Sequence, residues 1–152
     1  MKKYKLTTET LQFAGRTLHR IKAVKDFDSI KAGEFGGWIE NEKNLSQDDN
    51  AWIYGDAMVF DNAEVYGNAA IKGDAKVHDA VDYIVFKNFW SSGRYFTWTS
   101  SNNKWSVGCF YGTGEELIKK AYADSEKSGR EYERVVRYVE SILADEKKEK
   151  SN

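Results

Sequence analysis

Between Ile53 and Asp82 an aliphatic residue falls at every sixth position: Ile53, Val59, Val65, Ile71 and Val77. Four residues after each of the first four stands an alanine, and after the fifth a valine. Written as hexads the stretch reads IYGDAM, VFDNAE, VYGNAA, IKGDAK and VHDAVD. Helices repeat every 3.6 residues and strands every two, so neither alone gives this period. A left-handed parallel β-helix does, because each hexad forms one side of a triangular coil. The aliphatic then points inward, the small fifth residue fits the tight interior, and Gly, Asp and Asn supply the permissive corner backbone.

The flanks read as two caps. Residues 2–27 form a β-hairpin around the Ala14-Gly15-Arg16 turn. Ile39 and Leu45 are again six apart, so the coil begins before the clean repeats, while Leu45 to Ile53 spans eight and predicts a two-residue insertion at Gln47–Asn50. From Tyr83 the period changes to two. DYIVFKNFW, RYFTWTS and KWSVGCF read as a three-strand antiparallel meander. Thr113-Gly114-Glu115-Glu116 is a capping box opening a helix with the stripe Leu117, Ile118, Ala121 and Tyr122. Ser128-Gly129-Arg130-Glu131 predicts the start of a second helix, carrying Val135, Val136, Val139, Ile142 and Leu143. The resulting expectation is a mainly β chain: an N-terminal cap over 1–35, a left-handed β-helix over 36–82, an α+β cap over 83–145 and a disordered tail over 146–152.

Stacking in such a coil joins residues eighteen apart, which sets Tyr54 beside Lys72, Trp52 beside Ala70, Met58 beside Lys76 and Phe60 beside His78 on the outside. Trp52, Tyr54, Phe60 and Tyr66 are therefore candidate interface residues of a homo-oligomer, a trimer by preference, or else pack under the chain's own caps.

Net charge is −1, which gives no bias toward a nucleic-acid polymer or an anionic membrane. The single cysteine, Cys109, excludes an intrachain disulfide, and its alternation with Trp105 and Val107 predicts a buried thiol. No apolar span or leader is legible, so an intracellular protein is expected. Some hexapeptide-repeat proteins are acyltransferases with a histidine base, and others hold zinc on three histidines. This chain has His19 and His78 alone, in unrelated contexts. No metal, cofactor or catalytic set is assigned. Binding is favoured instead. Arg94, Tyr95, Trp98, Lys104, Trp105 and Tyr111 place cations and flat rings on one meander beside the helix start at Thr113, a composition that suits a small anionic or nucleotide ligand. Trp98 and Trp105 read equally as sheet core. A second cationic set, Arg16, Arg20, Lys22 and Lys25, reads as a solvated hairpin face.

GRTLHRIKAVKDF, GEFGGWIENEKNLSQDDNAW, the YGDA and YGNA hexads and GCFYGTGEELIKKA resemble a family of small phage and prophage proteins. These share a hexapeptide-like left-handed β-helix between an N-terminal cap and a C-terminal α+β cap. The resemblance implies a setting in the cytoplasm of an infected bacterial host. It also brings to mind counter-defence proteins that sequester a host's nucleotide immune signals without turning them over. The alternatives are a protein-binding decoy or assembly module, and an acyltransferase or nucleotide-degrading enzyme.

Overall fold

The computed structural model describes residues 2–151 as a mainly β chain that ends in two helices. Strands β1 (Tyr4–Phe13) and β2 (Arg16–Ala23) form the N-terminal hairpin. Ala14 and Gly15 turn it with φ of 51° and 76°, the left-handed pair that a two-residue hairpin loop needs. Strand β3 (Phe35–Ile39) and the two-residue strands β4 (Trp52–Ile53), β5 (Met58–Val59), β6 (Ala70–Ile71) and β7 (Lys76–Val77) follow.

Parallel pairing runs along three rows. One joins β3, β5 and β7, a second joins β4 and β6, and a third is the bridge between Leu45 and Val65. The predicted neighbours Trp52 with Ala70 and Met58 with Lys76 are paired at the expected spacing of eighteen. Trp38 with Met58 and Leu45 with Val65 are twenty apart, because the insertion at Gln47–Asn50 lies between them. Every hexad aliphatic from Ile39 to Val77 is at most 1% exposed, as are Ala57, Ala63, Ala69 and Ala75. Each large aliphatic buried this way contributes about 1.5–3 kcal/mol. At the first row Gly36 and Gly37 admit no side chain: a Cβ on Gly37 would stand 2.5 Å from the Ala57 carbonyl oxygen and from Ile53 Cγ2.

Open ladder edges leave polar backbone without partners, and the two flanks close these edges by different means. At the N-terminal end β2 pairs antiparallel with β3, making one mixed five-stranded sheet in the order β1-β2-β3-β5-β7. The other two rows are closed by side chains. The Tyr4 hydroxyl donates to the Leu45 carbonyl at 2.6 Å, and the buried Lys3 amine donates to the Ala51 and Asp49 carbonyls at 2.7 and 2.9 Å. Gln47, inside the insertion, accepts from the Lys3 and Tyr4 amides and donates back to the Tyr4 carbonyl. The hairpin is thus an added edge with two reaching side chains, and not a lid laid across the end.

At the other end side-chain oxygens accept from the outward amides. Thr97 takes that of Ala70 at 3.0 Å, Ser101 that of Lys76 at 2.8 Å, and Asp82 that of His78 at 3.0 Å. These come from, or just before, a four-stranded antiparallel sheet of β8 (Tyr83–Lys87), β9 (Tyr95–Thr99), β10 (Lys104–Val107) and β11 (Phe110–Gly112), in the order β11-β10-β9-β8. The fourth strand was not expected. Val107 pairs with Phe110, so Gly108, at φ 55°, and Cys109 form a two-residue hairpin loop. The strand alternation ends at Val107, and Cys109 is exposed where a buried thiol was expected.

Helices α1 (Gly114–Asp124) and α2 (Glu126–Ser151) pack on this sheet through Phe96, Trp98, Trp105, Leu117, Val136 and Val139. The Thr113 capping box is formed. The second helix starts earlier than expected. Ser125 Oγ accepts from the Ser128 amide, so Ser125 caps α2 and Ser128 lies in its first turn. Gly129 is instead a packing residue: a Cβ there would sit 2.2 Å from the Tyr122 ring. Where a disordered tail was expected over 146–152, the chain is helical through Ser151, residue 152 lying outside the described residues; Glu and Lys are good helix formers, and Glu146 with Lys150 is a favourable i,i+4 pair. No helix among the described residues is long and apolar enough to cross a membrane.

Candidate functional site

Two clefts lie where the hexad segment meets the antiparallel sheet. The first, about 740 Å³, is lined by Tyr54, Asn68 and Lys72 from the hexads, Arg94, Tyr95, Thr97 and Ser106 from the sheet, the Gly108-Cys109 loop, and Asp28 and Ser29. The second, about 680 Å³, is lined by Asn62, Glu64, Tyr66, Gly67, Ala80, Tyr83, Ile84 and Val85, and shares Asn68 and Tyr95 with the first.

Local structure explains each position. Tyr54 and Lys72 both follow an inward isoleucine in paired strands, so both point outward on one row. Lys72 Nζ lies 4.8 Å from the Tyr54 ring centre and donates to the Gly108 carbonyl at 3.2 Å. Burial holds the Lys72 amine below the ordinary lysine range, opposed by the nearby Cys109 thiol. Burial likewise raises the Tyr54 hydroxyl, with Asp28 adding to the effect. Arg94 leads into β9, and among the described residues its guanidinium has no hydrogen bond or ion pair. Tyr95 is 45% exposed, with Lys87 Nζ 5.9 Å from its ring. The first cleft therefore offers one half-buried ammonium, one uncommitted guanidinium and two aromatic rings, a set that attracts anions bearing flat groups.

The expected ligand residues divide. Arg94 and Tyr95 line the clefts. Trp98 and Trp105 do not; they are 2% and 1% exposed, within the core between sheet and helices, and the Trp98 indole donates to Asn103. Lys104 lies away from the first cleft, near Asp74 and Glu116. The Tyr111 hydroxyl accepts from Asn102 and is held over Gly73, outside both clefts. The Thr113 helix start is occupied by its own box: Glu116 accepts from the Thr113 amide at 2.9 Å, which puts a carboxylate where an anion would bind.

The candidate interface residues divide too. Trp52 is 1% exposed, walled in by Tyr4 and Phe27. Phe60 is 7% exposed and packs against Phe13, Leu18 and Trp38, because the hairpin tip bends over the outer face of its sheet. Those two rings are covered by the chain itself. Tyr54 is half-buried in the cleft, and Tyr66, 63% exposed, stands free. Three of the four expected hairpin cations are engaged: Arg16 pairs with Glu40 and Asp61, Arg20 pairs with Glu9 and lies over Trp38, and Lys22 lies over Phe35.

The sequence places Lys72 beside Tyr54 without assigning either to a ligand, gives no sign of Asn68, and puts Cys109 in the core and not in a cleft. The Gly-Cys pair between alternating strands is a hairpin signal that would have exposed the cysteine. No histidine lines either cleft. His78 is stacked on Phe60 at 5.6 Å beside Asp82, and His19 Nδ1 lies 3.3 Å from the Thr7 carbonyl. Among the described residues no three His, Cys, Asp or Glu side chains are grouped to hold a metal ion.

No protein-family model matches the chain. Over 62 residues it is 39% identical to a protein of Escherichia coli strain K12 named "Uncharacterized acetyltransferase YdcK". The match covers 36% of this chain and 19% of that protein, so the chain spans about a fifth of its relative's length.

Proposed function

We propose that the protein binds a small anionic, nucleotide-type ligand in the first cleft and holds it without chemistry. The observation that carries this reading is the uncommitted Arg94 guanidinium, facing the same cleft as the half-buried Lys72 amine and the Tyr54 and Tyr95 rings. A guanidinium with no hydrogen bond or ion pair among the described residues, set beside a partly desolvated cation, gives an anion affinity that burial strengthens. The hexad segment, in this reading, is a left-handed β-helical coil of little more than two turns. The six-residue period, the alanines in its interior and the three parallel rows support it. The resemblance to small phage proteins supports a role in the infected bacterial cell, where retention of a host signal would act as counter-defence. Self-association, threefold by preference, then uses a hexad surface outside the clefts, since Trp52 and Phe60 are covered by the chain itself and Tyr66 lines the second cleft.

Calorimetric titration with adenosine monophosphate tests the binding. Wild type is expected to bind, and Arg94→Ala to weaken binding about tenfold or more, as loss of a charge-assisted contact does. The melting temperature should not change, since the guanidinium has no partner within the fold. Equal affinity in the variant would reject the site.

A second reading, acyl transfer, rests on the partial likeness to a protein named as an acetyltransferase. No histidine lines either cleft to serve as the base that hexapeptide-type acyltransferases use. This reading predicts turnover of an acetyl thioester that survives His78→Ala only if another group acts as the base.

A further inference from the structure

The two clefts adjoin one another through common walls. Asn68 and Tyr95 belong to both. Arg94 is the chain neighbour of the shared Tyr95, and Lys72 lies on the first cleft's wall. Each cleft also has one acid and at least one tyrosine that the other lacks, with the first cleft's tyrosine lying against Lys72 and the second cleft holding Tyr83 as well. Tyr54 and Asp28 belong to the first, Tyr66 and Glu64 to the second. A carboxylate repels phosphate but accepts hydrogen bonds from an amino group, as in side-chain readout of cytosine. Each cleft, at about 740 and 680 Å³, has the size of a complete small-molecule site. Tyr66 and Lys72 are six residues apart, so their backbones are separated by at most ~20 Å. A mononucleotide fills one cleft and leaves the other empty.

Resting on the anion-binding reading above, we infer that the two clefts together take a dinucleotide-class ligand: two amino-bearing flat rings joined through phosphate. The phosphate meets Arg94 and Lys72. One ring lies with Tyr54 toward Asp28, the other with Tyr66 toward Glu64. Tyr95, reached from both clefts, flanks the linkage.

Titrations with adenylyl-adenosine and with adenosine monophosphate, in wild type and in Tyr66→Ala, test this. Tyr66 is 63% exposed, so the substitution leaves the fold intact, checked by an unchanged melting temperature. The dinucleotide is expected to bind one per chain, about tenfold or more tighter than the mononucleotide, the contribution of one further stacked ring. Tyr66→Ala should bring it down to the mononucleotide's level. Equal affinities in wild type, with Tyr66→Ala silent, would overturn the two-ring assignment while leaving the anion site standing. Binding of neither compound would reject the anion site and this inference together.

Discussion

Asn44 shows how much a single polar side chain can hold in this chain. It is fully buried, accepts from the amides of Glu40 and Asn41, and donates to the carbonyls of Ala63 and Asp61. It thereby ties the first corner of the hexad segment to the next. Asn44→Leu keeps the branched shape but leaves the Ala63 carbonyl buried without this donor, so a loss of about 2–3 kcal/mol is expected in urea unfolding. Tyr4→Phe removes a hydroxyl that satisfies the Leu45 carbonyl and should cost about 1–2 kcal/mol by the same measurement. Neither role was legible in the sequence. The hexad pattern announces the inward Ile53 and Val59 because their environment repeats, but Lys3, Tyr4 and Asn44 act at the ends, where the repeat stops and contacts span more than fifteen residues. That Arg94 lines a cleft was legible for the opposite reason: a cation leading into a short aromatic strand has no core role to take it inward.

Among the elements, the ones with local signals were read correctly and the ones set by neighbours were not. The β1–β2 hairpin follows from its Ala14-Gly15 turn, and α1 from the Thr113 capping box. The start of α2 was misplaced by three residues because Ser128 and Ser125 are both credible caps, and only packing decides. Gly129 must lie against the Tyr122 ring, which requires the helix to be under way there. Gly129→Ala should therefore destabilise the helix pair despite alanine's higher helix propensity, by about 1–3 kcal/mol. The same test at Gly37, where backbone rather than a movable ring is in the way, should cost more than Gly129→Ala. Trp98 and Trp105 offered two readings in the sequence, and the sheet's partner helices resolve them as core. Beyond Asp145 the side chains of α2 are exposed through Lys150, so hydrogen exchange there should be fast although the backbone is helical.

The described residues form three hydrophobic clusters: a large one inside the hexad segment, a large one between sheet and helices, and a small one of Leu18, Trp38 and Phe60 on the hairpin side. Side-chain caps such as Thr97 on Ala70 and Tyr83 on the Glu64 carbonyl join the two large ones. Burial raises the Tyr83 hydroxyl to about 12, and it raises Tyr4 and Tyr54 above the usual value as well. A raised folded-state pKa means that the unfolded chain ionises first. The stability these tyrosines contribute is complete below pH 10 and falls as the pH climbs from 10 toward 12. Melting temperatures across that window should drop steeply, and less so in Tyr83→Phe, which has no hydroxyl to titrate. The junction that these caps hold together is also where the two clefts lie, and this seam is the proposed binding site. Backbone amide NMR during titration with adenosine monophosphate tests it most directly. Shifts confined to Asn68, Lys72, Tyr95 and Gly108 are predicted. Shifts gathered at Thr113 and Gly114, or none at millimolar ligand, would contradict it.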